Sequence, residues 1–254
     1  LCLPVGGLEQ LYDLAHFVAE IANLSPNDHA AYVGRSAFAH KGGVHVSAIR
    51  RHPESYEHIN PTLVGNESRV VVSELSGRSN LLSKAEELGL EVSSDSGGRV
   101  LERIKELESK GFAYEAAEAS VAVLMARHQA DYEAPFEVLD FQAGVGRRRG
   151  GGMFAEATVK VRIGDEVVHT AGEGNGPVSA LDSALRKALR PFFPEVADMH
   201  LTDYKVRILD GRSGTGATTR VLIDSQSSYD NWSTVGASSN IIEASLQALV
   251  DSIE

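Results

Sequence analysis

The sequence predicts an α+β fold in which small helical linker subdomains precede a domain of two β-β-β-α repeats. Three observations support this prediction. Apolar residues recur every three or four positions within residues 1–24 and 79–134, they alternate with polar residues after residue 135, and the order of elements in the second half occurs twice. We place the domain bounds at 1–24, 25–78, 79–134 and 135–254.

The composition excludes several classes of protein. With 254 residues, 43% of them hydrophobic, the chain is too apolar for a disordered tail. Its net charge of −11 opposes contact with phosphate backbones, so we expect no nucleic-acid partner. No apolar run approaches the roughly 20 residues that cross a bilayer, and Cys2 has no second cysteine for a disulfide. We therefore expect a soluble, cytoplasmic protein with no membrane partner.

The first predicted element is an amphipathic helix within residues 1–24. Its apolar residues follow helical spacing up to Ser25-Pro26: Leu8, Leu11, Leu14, Ala15, Val18, Ile21 and Ala22. This stripe needs a surface to pack on, and nothing upstream in the sequence supplies one. We therefore expect the sequence to be a piece of a longer polypeptide in which this helix covers another domain.

Residues 25–78 are predicted to be irregular, and they contain five of the nine histidines. His40 and His45 flank the pair Gly42-Gly43, which is a pattern suited to presenting an imidazole on a tightly turned loop. Surface or hydrogen-bonded loop histidines are the alternative. No carboxylate at ligand spacing and no Ser/His/Asp arrangement accompanies them, so we expect no metal site made by this chain alone.

Residues 79–134 are predicted to form three successive helices. The first two patterns end at Gly89 and Gly111, as expected for glycine just beyond a helix, and the third spans residues 116–126.

The last domain begins with a strand at 136–141 and continues with one at 155–163, where apolar residues occupy every odd position. Gly164-Asp165 suits a two-residue hairpin turn, and Pro177 suits the first position of a helix. The second copy comprises strands at 204–208, 217–223 and 229–234 and a helix at 241–253. The apolar helix positions repeat at an offset of 61. We expect both helices to pack on one shared antiparallel sheet.

Gly174-Asn175-Gly176 precedes the first helix of this domain. Free N–H groups and the positive end of the helix dipole make such a position a suitable binding site for a carboxylate. An ordinary glycine-rich connection between a strand and a helix is the alternative.

Several segments in series resemble the region that follows the catalytic barrel in citramalate synthases, which belong to the 2-isopropylmalate and homocitrate synthase family. The segments are His40-Lys41-Gly42-Gly43-Val44-His45-Val46-Ser47-Ala48, Ser55-Tyr56-Glu57-His58-Ile59, Val64-Gly65-Asn66-Glu67 and Ser73-Glu74-Leu75-Ser76-Gly77-Arg78-Ser79-Asn80. The second half, with Glu173-Gly174-Asn175-Gly176-Pro177 and the doubled β-β-β-α unit, resembles the allosteric domain that binds the end-product amino acid in these enzymes.

The resemblance implies a part of an acyltransferase that condenses acetyl-CoA with a 2-oxo acid, pyruvate in citramalate synthases, on a (β/α)8 barrel with a divalent metal. We expect the barrel, its metal ligands and its acetyl-CoA site to lie outside this sequence, so that the fragment is inactive alone and contains no cofactor. His45 and Tyr56 match family residues that reach into the partner subunit's active site, which implies a homodimer. We interpret His40 as a structural histidine.

For the effector, the resemblance points to the helix starts and to the strand that opens the repeat. The candidate residues are Asp140, Asn175, Gly176, Val178, Leu181 and Gly236. Isoleucine is the expected effector. One alternative is the same region of a leucine-regulated 2-isopropylmalate synthase, which is disfavoured because those enzymes more usually carry His-Gln-Asp-Gly where this chain has His45-Val46-Ser47-Ala48. A second alternative is a stand-alone amino-acid-sensing module.

Overall fold

A computed structural model describes residues 4–24, 26–41, 43–72, 78–87, 89, 94–147 and 149–254. Cys2, Gly42 and the 73–77 part of the 73–80 segment therefore lie outside the described residues. The chain divides into two compact units, residues 1–101 and 102–254. Helices and strands are both abundant, which confirms the predicted α+β class.

The elements are as follows in chain order. The helices are α1 (Leu11–Ile21), α2 (Gly43–Arg51), α3 (Arg78–Glu87), α4 (Ser94–Ser109), α5 (Glu118–Ala126), α6 (Pro177–Leu189) and α7 (Ile241–Ile253). The strands are β1 (Ala39–His40), β2 (Arg69–Val70), β3 (Glu137–Arg147), β4 (Met153–Ile163), β5 (Glu166–Gly174), β6 (His200–Ile208), β7 (Thr219–Gln226) and β8 (Asn231–Ser238).

The first unit is built around a short parallel pair, β1 with β2, and the helices that follow each strand. Its buried side chains include Phe38, Val46, Val64 and Leu81. The predicted first helix is confirmed as α1, although it begins at Leu11. Its apolar stripe is exposed along most of its length, and none of its residues is buried.

The prediction that residues 25–78 are irregular is wrong at α2. His45 lies in the first turn of this helix and not on a tight loop. Val46 is buried and Ile49 is half-buried, so one short apolar turn packs inward. This stripe is too short to stand out in the sequence from the surrounding histidines and arginines.

The predicted helices of residues 79–134 are confirmed as α3, α4 and α5. Gly89 and Gly111 follow the first two with φ of +67° and +111°, the conformation that favours glycine beyond a helix. In the second unit, α5 packs against β8 and α7.

The first sheet of the second unit has the antiparallel order β3-β4-β5. The predicted alternation in β4 is confirmed, since Ala155, Ala157, Val159, Val161 and Ile163 are buried. The two-residue turn after Ile163 is also confirmed, and Gly164 has a φ of +55° there.

The second sheet has the order β6-β7-β8 and is also antiparallel. The expectation of one shared sheet is wrong, because the described strands of this unit form two three-stranded sheets. Helix α6 covers the first sheet, helix α7 covers the second, and the helices contact each other within a common apolar core.

The two β-β-β-α segments correspond at a different offset from the expected 61. Pro177 corresponds to Ile241 and Leu189 to Ile253, an offset of 64 residues at both helix ends. Side-chain contacts support this offset. Thr170 donates a hydrogen bond to the carbonyl oxygen of Ala184, and Thr234 donates one to that of Ala248.

Among the described residues, no helix is both long enough and apolar enough to span a membrane.

Candidate functional site

The rings of His45 and Tyr56 stack on each other at the surface of the first unit. Their centroids are 4.2 Å apart and their planes are inclined by 26°. His45 projects from the first turn of α2, and Tyr56 follows the short 3₁₀ turn Pro53–Ser55. Both side chains are exposed, Tyr56 by 47%. The two residues predicted from the resemblance to act together are therefore neighbours, although their catalytic role stays a prediction.

A buried pair lies beside these exposed rings in the sequence. Nε2 of His40 lies 3.2 Å from Oε1 of Glu57, and the two residues are only 9% and 8% exposed. A buried carboxylate needs a hydrogen-bond partner because burial removes its hydration. The interpretation of His40 as a structural histidine agrees with this environment.

The segment that leads from β1 to α2 has a second support. Nδ2 of Asn80 in α3 donates a hydrogen bond of 2.8 Å to the carbonyl oxygen of Lys41. The carbonyl oxygen of His40 accepts a hydrogen bond from the backbone N–H of Val71. The start of α2, and with it His45, is thereby tied to two other elements of the unit.

His58 adds a further contact between the segment around β1 and the segment that follows the 3₁₀ turn Pro53–Ser55. Its ring stacks on Phe38 with a centroid distance of 6.2 Å and contacts Tyr32 at 5.5 Å. Sequence reasoning assigned no role to Glu57 or His58. The only available signal was their place beside Tyr56 in a segment already singled out, because the contacts join residues far apart in sequence.

The second candidate site is the connection from β5 to α6. A Cβ atom at Gly174 would lie 2.5 Å from the backbone nitrogen of Ala180, so only glycine allows the strand to approach the helix this closely. Gly176 occupies the N-cap position of α6 and has no side chain to cap it. In α7, by contrast, the Asn240 side chain accepts hydrogen bonds from the N–H groups of Ile242 and Glu243.

Only part of the predicted effector set comes together. Asn175 is exposed, Gly176 and Val178 are half-buried, and all three lie at the start of α6. Leu181 is one turn further along and fully buried in the core.

The other two predicted residues lie elsewhere. Asp140 is opposite Lys160 in the sheet, whereas Gly174 is opposite Ala155. Five residues of β4 separate these rows, about 17 Å along the strand at roughly 3.4 Å per residue. Gly236 lies in β8, where a Cβ atom would be 1.9 Å from the carbonyl oxygen of Ala244. The position of Gly236 is explained by close packing of β8 on α7.

The described residues contain no group of three or more His, Cys, Asp or Glu side chains arranged to hold a metal ion. We therefore assign no metal ligand to them.

Comparison with known proteins connects both candidate sites to enzyme domains. Residues 32–111, which include His45 and Tyr56, match the homocitrate synthase post-HMGL domain-like family. Residues 115–254, more than half of the chain, match the LeuA allosteric (dimerisation) domain.

Whole-chain relatives agree with these matches. The chain is 52% identical over 256 residues to the (R)-citramalate synthase of Geobacter sulfurreducens, covering 100% of this chain and 48% of that protein. It is 51% identical over 259 residues to the (R)-citramalate synthase of a Synechocystis species, covering 100% of this chain and 47% of that protein. The chain thus spans about half the length of these relatives. The LeuA match extends from residue 115 to residue 254, and the chain belongs to the LeuA allosteric (dimerisation) domain family.

Proposed function

We propose that this chain is the linker and feedback-regulatory region of an acyltransferase that condenses acetyl-CoA with pyruvate to form citramalate in isoleucine biosynthesis. The exposed His45–Tyr56 ring pair carries the proposal, because it lies in the segment similar to homocitrate synthases. The names of the relatives support citramalate as the product. We also propose a cytoplasmic location, which suits a biosynthetic role and the single cysteine of this chain.

His45 and Tyr56 are proposed to act in the barrel of a partner subunit. An imidazole can exchange a proton near neutral pH, and a phenol can hold it or an activated water in place by a hydrogen bond. Their exposure supports this role, since both side chains are accessible to a second molecule. A divalent metal and acetyl-CoA belong, in this proposal, to the barrel and not to the residues described above.

Isoleucine is the proposed effector, and the start of α6 is its proposed binding site. The uncapped N–H groups after Gly176 suit a carboxylate, and the half-buried Val178 suits an aliphatic side chain. Asp140 is too distant within one chain to complete that binding site, so we do not assign the group that binds the ammonium of the effector.

We further propose that two copies dimerise through the second unit. Tyr204, Val206 and Ile208 lie on one side of β6, opposite the buried or half-buried positions Ile223, Val221 and Thr219. Tyr204 contacts helix α7 through a 2.7 Å hydrogen bond with Ser245. Beyond it the strip is uncovered, since Val206 and Ile208 are 43% and 60% exposed. A second copy is the occupant that the matched family's description favours.

The direct test is an assay of the full-length gene product with acetyl-CoA and either pyruvate or 2-oxoisovalerate. Release of CoA thiol with pyruvate, inhibited by isoleucine, is the expected result. Preference for 2-oxoisovalerate with inhibition by leucine would replace the proposal by a 2-isopropylmalate synthase. A natural gene product without a catalytic domain, inactive with both oxo acids, would favour a stand-alone sensor.

A further inference from the structure

We propose that the buried His40–Glu57 pair is a positioning pair that holds His45 and Tyr56 in contact. Its consequence for catalysis rests on the function proposed above, whereas its effect on the ring pair does not. Among the described residues, no hydrogen bond or ring contact joins His40 or Glu57 to His45 or Tyr56. Their role is therefore to set the geometry of other residues.

Two segments face each other through three successive side-chain pairs. The first segment carries Phe38, His40 and His45, and the second carries Tyr56, Glu57 and His58. Phe38 contacts His58, His40 contacts Glu57, and His45 contacts Tyr56. The order runs forward in the first segment and backward in the second. The middle pair is buried and polar, so it has the fewest alternative arrangements: shifting either segment would leave a buried carboxylate or imidazole without its partner.

The two sides of the middle pair differ in how they are held. His40 is in β1, and the backbone that follows it is fixed by hydrogen bonds from Val71 and Asn80. Glu57 and His58 lie outside regular secondary structure. Side-chain contacts therefore help to place this second segment, and among those of the described residues the hydrogen bond between His40 and Glu57 is the one with a directional requirement.

Tyr56 depends on that placement because it is adjacent to Glu57 and exposed. Among the described residues, its ring is held by stacking on His45, so a small shift of residue 57 moves the phenol. Geometric errors of about 1 Å in catalytic groups can lower rates by about 100-fold. A buried anchor one residue away reduces this freedom.

The test uses nuclear magnetic resonance on this chain and two nearly isosteric variants. Glu57→Gln keeps a hydrogen-bonding side chain, and Glu57→Met keeps the volume without the hydrogen bond. Glu54→Gln is the matched control, since Glu54 is exposed in the same segment. The readouts are the nuclear Overhauser contacts between the His45 and Tyr56 rings and the ring-current shift of the His45 protons.

We expect the ring contacts to persist in Glu57→Gln and in the control. In Glu57→Met they should be lost, with the His45 ring protons moving toward their values in a free histidine. Methyl signals of the buried Val46 and Leu81 report whether the first unit remains folded. Persistence of the ring contacts in a folded Glu57→Met variant would overturn the proposal.

If Glu57→Met unfolds the first unit, the double variant His40→Phe with Glu57→Met takes its place. Replacing both partners by apolar groups leaves no buried polar group unpaired and is often close to neutral for stability. Loss of the ring contacts in this variant supports the positioning role, and their retention overturns it.

Turnover of the full-length enzyme separates this proposal from the proposed function. We expect Glu57→Met to lower kcat by about 10- to 100-fold with little change in KM for pyruvate, and Glu57→Gln to restore most of it. Loss of the ring contacts with unchanged kcat would support the positioning role and contradict the catalytic role of His45 and Tyr56. Retained ring contacts would contradict the positioning role whatever the rate.

Discussion

The imidazole of His45 stacks on the phenol of Tyr56 with 4.2 Å between the ring centroids. One ring comes from the first turn of α2 and the other from the segment after a 3₁₀ turn, so two separate elements build one exposed surface patch. An imidazole, which can exchange a proton near neutral pH, and a phenol, which can donate a hydrogen bond, therefore lie side by side on this patch.

In the full-length enzyme, we expect His45→Ala to lower turnover by about 100-fold or more, the range typical of a lost proton-transfer group. Isoleucine binding should be unchanged, since the proposed effector-binding site lies in the second unit. Steady-state kinetics with His52→Ala as the control check this prediction, because His52 is an exposed histidine in the same region. Equal turnover of His45→Ala and the control would remove His45 from the catalytic residues.

Asn175→Leu and Val178→Asp should weaken inhibition by isoleucine. The first places a bulky apolar group at the start of α6, and the second places a negative charge where a carboxylate is proposed to bind. We expect the half-inhibitory concentration to rise by at least about tenfold, which corresponds to about 1.4 kcal/mol. Asp165→Asn, at the remote β4–β5 turn, is the control. An unchanged inhibition curve for both variants would move the effector site away from α6.

The fold was most predictable where long segments bury one face. In β4, five alternate residues are buried, and this pattern is typical of a half-buried strand. The alternation says which face is buried but not which strand edges form hydrogen bonds, so two separate sheets could not be distinguished from one.

The repeat offset shows a second limit of periodicity. A shift of three residues is close to one helical turn of 3.6, so the apolar positions of α6 and α7 match almost as well at 61 as at 64. The helix starts decide between them. Gly176 and Asn240 occupy the two N-cap positions, and they differ by 64.

The candidate site was predictable only through its exposed members. His45 and Tyr56 were found by resemblance, whereas the contact of His40 with Glu57 joins residues 17 positions apart. Such a contact depends on how β1 packs against the second segment, which no local pattern reveals. Asp140 and Asn175 illustrate the converse, because residues suited to one ligand lie apart, Asp140 within β3 opposite Lys160 and Asn175 just after β5.

Gly236→Ala should destabilise the second unit. The added Cβ would lie 1.9 Å from the carbonyl oxygen of Ala244, which is backbone and cannot rotate away. Overpacking of this kind costs about 1–3 kcal/mol, which lowers Tm by several degrees in a chain of this size. Thermal unfolding with Gly216→Ala as the control measures the effect, since a Cβ there meets no atom within 4 Å. Equal Tm values for both variants would contradict the close packing of β8 on α7.

The stability of the second unit should respond to pH through Asp251. This carboxylate lies 2.7 Å from the Ser120 hydroxyl and 3.0 Å from the Arg127 guanidinium. Burial raises its pKa to about 6, against the opposing effect of Arg127. The folded chain therefore binds a proton between about pH 6 and pH 4 that the unfolded chain does not yet bind. Lowering the pH through this range stabilises the fold through Asp251.

Thermal unfolding of Asp251→Asn isolates this effect, because the amide binds no proton. The difference in Tm between wild type and variant should shift in favour of wild type by a few degrees from pH 7.5 to pH 4.5. Asp198→Asn is the control. Hydrogen bonds from Ser228 hold the pKa of Asp198 below its usual value, so its difference should stay flat over this range. A flat difference for Asp251→Asn would contradict the raised pKa.

Calorimetric titration of this 254-residue chain with isoleucine, leucine and valine in parallel, at a concentration that favours a dimer, tests the regulatory role most directly. We predict saturable binding with a preference for isoleucine, reduced in the Val178→Asp variant. Absence of binding to all three amino acids by a folded, dimeric chain would contradict an amino-acid-sensing role for this region.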